Sequence, residues 1–121
     1  MTTNEPDDAA LAARYRDPIE AELAQLEAQS HQTAADRAPV ELDQQSVGRL
    51  SRMDAMQQQA MAQAVEQRRQ TRHARLAAAL KRIQTGDFGY CVDCGAFIGW
   101  KRLDVDPTVP LCVACAGKPG R

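Results

Sequence analysis

Four cysteines in two pairs, Cys91-Val92-Asp93-Cys94 and Cys112-Val113-Ala114-Cys115, set the tightest limit on what this chain can fold into. Seventeen residues separate the pairs. Each C-x-x-C turn can aim two thiolates at one point, and two such turns supply the four sulfurs of a tetrahedral zinc site. Gly89 and Gly95 flank the first pair and suit the tight turns that such a knuckle needs. Two disulfides and a thioredoxin-like redox pair are the competing readings. Disulfides belong to a secreted chain, and a redox pair needs a strand–helix–strand context that is absent here. Four thiolates would fill the zinc shell. One Zn2+ on Cys91, Cys94, Cys112 and Cys115 would therefore hold structure and do no chemistry, because a catalytic zinc keeps a position open.

The rest of the chain offers little bulk for a large core. Among 121 residues there are two Phe, two Tyr and one Trp. Ala and Gln abound instead, which suits long helices packed along a narrow seam beside a small metal-stapled module. No run of about 18 apolar residues is present, so no membrane span is expected. The polar, acidic start Met1–Asp8 does not read as a signal peptide, and paired thiols without one point to a reducing cytoplasm.

Charge is unevenly spread. Residues 1–45 carry ten acids against three bases, and residues 46–90 carry eight bases against three acids. Either the two stretches neutralise one another, or the basic one also faces a polyanion or an acidic partner. Arg68, Arg69, Arg72 and Arg75 are its densest part, and an exposed, solvated helix face is the simplest account of them.

Hydrophobic spacing gives a mainly α fold: a long antiparallel helical hairpin, coiled-coil-like, with a small C-terminal four-cysteine zinc module. Residues 1–16 read as a flexible N-terminus with a short helix from Asp8 to Arg16 that carries Leu11 and Tyr15. Asp17-Pro18 reads as a helix start, with Ile19, Leu23, Leu26, Ser30 and Thr33 along one stripe. That helix ends near Asp36, ahead of Pro39. A second helix runs from Gln44 to Gln84, with Asp43 as its N-cap and Thr85-Gly86-Asp87 as its stop. The hairpin thus spans 17–84 with its tip near 37–46, and the zinc module with a short tail spans 85–121. A turn centred near Val40 pairs Ile19 with Met61, Leu26 with Met53 and Thr33 with Val47. Val47, Leu50, Met53, Met56, Met61 and Val65 would form the seam. The far end of the second helix would pack on Leu11, Tyr15 and the zinc module, whose own core candidates are Phe97, Ile98, Leu103, Val109 and Leu111. No catalytic set is visible. His31 and His73 are the two histidines, and neither has a partner at a suggestive spacing.

The run Asp87-Phe88-Gly89-Tyr90-Cys91-x-x-Cys94-Gly95, then Ile98-Gly99, Arg102-Leu103, Pro107-Thr108 and Leu111-Cys112-x-x-Cys115, resembles the DksA/TraR family of transcription regulators. The resemblance implies a protein that binds bacterial RNA polymerase directly, without sequence-specific DNA binding. A coiled-coil tip would enter the secondary channel and change the lifetime of open promoter complexes. It implies a cytoplasmic monomer and no enzyme. The family's usual D-x-x-D-x-A tip pattern is replaced here by Glu41, Gln44 and Ser46, a placement that needs one extra heptad in the second helix; Asp43 lies nearby, out of that register. Glu41 and Asp43 would then act electrostatically near the polymerase active centre. Arg68, Arg72, Arg75 and Arg102 form the expected partner-contacting basic face. Positions used by some relatives for ppGpp fall at Asp106 and Ala116, which supply no cation, so weak or absent ppGpp synergy is expected. The rival classes are a nucleic-acid-binding zinc finger and a coiled-coil adaptor. The near-neutral zinc module speaks against the first, and mass in solution would decide the second.

Overall fold

The computed structural model describes residues 6–39 and 49–119, without the side chains of Arg49 and Leu50. The expected tip residues Glu41, Asp43, Gln44 and Ser46, and Val47 with them, lie outside the described residues. The described residues form four α-helices, α1 (Asp8–Gln32), α2 (Arg49–Thr85), α3 (Trp100–Val105) and α4 (Val113–Ala116), with a 3-10 turn at Ala34–Arg37 between the first two. Among the described residues there is no strand, only a single antiparallel bridge between Tyr90 and Phe97. Among the described residues no helix is long and apolar enough to cross a membrane.

The chain divides into two compact units, residues 1–23 with 74–121 and residues 24–73. In the first, one face of α1 and one face of α2 bury Leu11, Tyr15, Ile19, Leu76, Ala79 and Ile83, and the C-terminal module adds Phe88, Ile98 and Leu103. The expected packing of Leu11 and Tyr15 on the C-terminal region is realised. Tyr15 meets Phe88 and Trp100 at ring-centroid distances of 5.5 and 6.1 Å. A side chain at Gly89 would strike Leu11 Cδ1 at 3.1 Å.

The helix start expected at Asp17 is not a boundary: α1 runs unbroken from Asp8 through Pro18. An interior proline costs about 3 kcal/mol. Leu11, Tyr15 and Ile19 recur every fourth residue and are all buried. Each contributes about 1.5–3 kcal/mol, which offsets the penalty on both sides of the proline. The true start is capped by Asp7, whose Oδ1 accepts from the Ala10 amide at 2.7 Å. At the other end, the expected stop of α2 is found, with Gly86 at φ +83° just past Thr85.

In the second unit the two helical legs run antiparallel, but not in the expected register. Glu27 pairs with His73, Ser30 donates to Glu66, and Thr33 Oγ1 accepts from Arg69. Thr33 therefore faces Arg69 rather than Val47. The expected register mirrored the legs about Val40. The first α-helical leg instead ends at Gln32, ahead of the 3-10 turn at Ala34–Arg37. The apolar seam fails with the register: Met53, Met56 and Met61 are all more than half exposed. Glu66 is buried in their stead.

Candidate metal centre

The first knuckle is the loop of a short hairpin. Ile98 N–H donates to the Gly89 carbonyl at 2.8 Å, and Cys91 N–H donates to the Ala96 carbonyl at 2.8 Å. Gly95 N–H closes the turn on the Cys91 carbonyl at 2.9 Å. Gly89 at φ +91° and Gly95 at φ +78° take the conformations that L side chains avoid, as the sequence pattern predicts. The second knuckle begins α4: Cys112 is its N-cap, and its sulfur accepts from Cys115 N–H at 3.4 Å. Val92 N–H donates to the Pro110 carbonyl at 2.9 Å and brings the knuckles together.

The outcome is one cluster. The sulfurs of Cys91, Cys94, Cys112 and Cys115 all lie within 4.8 Å of one another, and Cys94 Sγ is 3.7 Å from Cys112 Sγ. A tetrahedral zinc with sulfurs at about 2.3 Å separates neighbouring sulfurs by about 3.8 Å, so the cluster fits the ion. All four are free thiols that converge on one point, the arrangement a shared metal requires. Cys91 and Cys115 are buried while Cys94 is exposed.

The amides around the sulfurs favour thiolate. Backbone N–H groups of Cys112 and then Cys94 bring the Cys91 thiol down to about 6. The Cys115 amide likewise lowers Cys112. Cys115 is pushed up to about 12, first by the Cys112 sulfur and then by that of Cys91. Without a cation, ionising one sulfur makes the next harder to ionise. A divalent ion removes that conflict, and the four cysteines hold one structural zinc.

Supporting contacts radiate from this module. Arg102 Nε donates to the Leu111 carbonyl at 3.1 Å, and Arg82 donates to the Thr108 carbonyl at 3.3 Å. Partial burial lowers the Arg82 pKa. Asp104 accepts from Arg14 Nε at 3.1 Å and Arg14 Nη2 at 2.7 Å, and from Tyr15 Oη at 2.7 Å. Arg14 foremost, then Tyr15, holds the Asp104 carboxyl below its usual range. Burial, reinforced by Asp104, raises Tyr15 to about 12. The Arg14 guanidinium also lies 4.9 Å over the Trp100 ring. Sequence reasoning missed this group, because its members are some ninety positions apart.

At least two members of the expected basic face, Arg75 and Arg102, are engaged within the chain. Arg68 is exposed and Arg72 half-buried. Arg75 is paired with Asp106 at 3.2 Å, and Arg102 is spent on the Leu111 carbonyl. Of the core candidates, Ile98 and Leu103 are buried, while Phe97, Val109 and Leu111 are half-buried. His73 proves to have a carboxylate partner after all, Glu27 at 2.9 Å, and His31 is exposed. Glu66 was also missed. It accepts from Ser30, Arg69 and Gln70 and pairs with Arg37 at 3.2 Å. Its signal was its isolation, one of three acids in residues 46–90.

Residues 86–119 match the family model of the prokaryotic dksA/traR C4-type zinc finger. Over 41 residues the chain is 49% identical to the RNA polymerase-binding transcription factor DksA of Haemophilus influenzae, a stretch that is 34% of this chain and 28% of that protein. It is 44% identical, again over 41 residues, to the protein of the same name from Escherichia coli K12, covering 34% and 27% of the two chains. The match thus spans little more than a quarter of these relatives. The structure of transcription factor DksA2 from Pseudomonas aeruginosa superposes with a TM-score of 0.71, covering 93% of this chain and 88% of that one at 22% identity, a likeness of fold.

Proposed function

Since the zinc-binding module of this chain belongs to the DksA/TraR C4-type zinc-finger family, we propose that the protein is a non-enzymatic regulator that binds bacterial RNA polymerase directly. The observation that carries the reading is the 41-residue stretch that is 49% identical to an RNA polymerase-binding factor. The similarity of fold to DksA2 over 93% of the chain supports it, because the likeness extends beyond residues 86–119 to the paired helices.

On this reading the zinc is a staple and the working part is the segment between the helices. Glu41, Asp43, Gln44 and Ser46 enter the polymerase secondary channel and alter the lifetime of open complexes. Arg68, which is exposed, is the residue of the basic face best placed to meet the partner, with Arg72 beside it on the same helix. The protein acts in the cytoplasm as a monomer and does not read DNA sequence. Synergy with ppGpp is weak or absent. In support, Arg75 already has Asp106 as its counter-ion, and Ala116 offers no charge.

The test is the lifetime of polymerase open complexes on a ribosomal RNA promoter, with the protein and its Glu41→Ala/Asp43→Ala variant side by side. The expected result is a shortened lifetime that the variant loses. A lifetime unchanged by the unaltered protein would defeat the reading.

A further inference from the structure

Within the second unit, the chain from the end of α1 to Pro39 is tied down at several points. Arg37 Nη1 donates to Thr33 Oγ1 at 2.8 Å and lies 3.2 Å from Glu66 Oε1. Its Nη2 donates to the Ser30 carbonyl at 3.0 Å, one of the last carbonyls of α1. Gln59, on α2, donates through Nε2 to the Ala38 carbonyl at 2.6 Å and more loosely to the Arg37 carbonyl at 3.4 Å. Both partners can only accept, so the amide nitrogen must face them.

The need for this tie follows from the sequence. Ala38 precedes a proline and is extended, at φ −62° and ψ 150°, as that position requires. Leaving the helical ladder removes its carbonyl from any helical donor, and Gln59 supplies one. Pro39 then fixes its own φ near −65°. The residues assigned above to the polymerase-acting segment follow at once: Glu41, Asp43, Gln44 and Ser46.

We propose that Gln59 is a positioning residue for that segment: by holding the Ala38 carbonyl against α2, with Arg37 anchored on Glu66 beside it, Gln59 fixes where the chain departs at Pro39. The inference rests on the polymerase reading. Groups that act through their placement lose effect steeply when the placement loosens, on the order of 10²-fold for a displacement of 1 Å. Gln59 is a better probe than Arg37 or Glu66, because removing either of those also disturbs the ion-pair cluster that includes Arg69. Gln59→Glu keeps the shape and removes the donor. Gln59→Lys changes the shape and keeps a donor.

Two measurements on the full zinc-loaded chain test this. The first is hydrogen exchange at the Ala38 amide, which bonds to the Ala35 carbonyl at 3.3 Å and needs no polymerase to read. The second is a titration of open-complex lifetime, separating the concentration for half effect from the maximal effect. Gln59→Glu should speed exchange at Ala38 about ten-fold, the worth of one hydrogen bond. It should also lose most of the maximal effect while the half-effect concentration stays within about two-fold, since the partner-binding surface is untouched. Gln59→Lys should retain both properties. A merely structural role would move half-effect concentration and helicity together and would overturn the proposal. Unchanged exchange in Gln59→Glu would also overturn it, as would faster exchange with a full maximal effect. If the unaltered protein has no effect on polymerase, the functional reading falls and this role with it, while the exchange data still report separately whether the tie exists.

Discussion

The two units are built from the same pair of helices by opposite means. The first buries eight large apolar or aromatic side chains, from Leu11 to Leu103, and adds a metal site. In the second, among the described residues, the buried side chain is a carboxylate, Glu66, ringed by Ser30, Arg37, Arg69 and Gln70. Apolar area stabilises in proportion to what is buried and is indifferent to direction. A hydrogen-bonded charge cluster contributes little net energy but tolerates one arrangement only. The first unit should therefore hold most of the stability, and the second should hold register. Amide exchange in residues 24–39 and 50–73 is expected to be faster than in 74–103. The reverse order would break the contrast.

Removing the metal should have the largest effect on it. Structural zinc in small modules is worth about 10–16 kcal/mol in apparent binding. Chelation, or Cys115→Ser, should abolish the near-ultraviolet signal of Trp100 and unfold residues 86–119, which circular dichroism and exchange would register together. Next come the buried leucines. Leu76→Ala should cost about 2–5 kcal/mol in denaturant unfolding, against less than about 0.5 kcal/mol for Met61→Ala on the surface. Equal costs would show that the methionines are covered in solution. Glu66→Ala should lower the melting temperature by several degrees, with faster exchange confined to the second unit. Uniform loss across both units would mean that the cluster is no local lock.

The smallest effect concerns Asp104. Its folded pKa is depressed by Arg14 and Tyr15, so its contribution is complete above the ordinary aspartate value near ~4 and is lost as pH falls through the folded value. The melting-temperature gap between the unaltered protein and Asp104→Asn should be a few degrees at most, flat from about pH 8 to pH 5, and narrower in more acid solution. A gap that widened on acidification would contradict the assignment.

This division also explains what could be read in advance. The metal ligands were legible because C-x-x-C spacing is local and its chemistry is specific. The stop of α2 and the roles of Gly89 and Gly95 were legible for the same reason. Leu11 and Tyr15 announced their packing by their spacing. The continuity of α1 through Pro18 was not legible, since it depends on tertiary burial that outweighs a local penalty. The register of the second unit was not legible either. The apolar stripe of methionines suggested one pairing, whereas Glu66 with its three donors and Arg37 sets another. Polar complementarity between distant positions leaves no periodic trace. The tip positions Glu41, Asp43, Gln44 and Ser46 lie outside the described residues and stay with the functional proposal.

The tetrathiolate site also bears on electrostatics. Four thiolates around one divalent ion carry two surplus negative charges. Residues 91–121 otherwise hold four bases against three acids, a single surplus positive charge. Loading the metal therefore leaves the module net negative. The zinc-bound form should elute later from an anion exchanger than the apo form at equal ionic strength. It should also be repelled by a phosphate backbone, so the ion that folds this zinc finger makes it less suited to hold DNA.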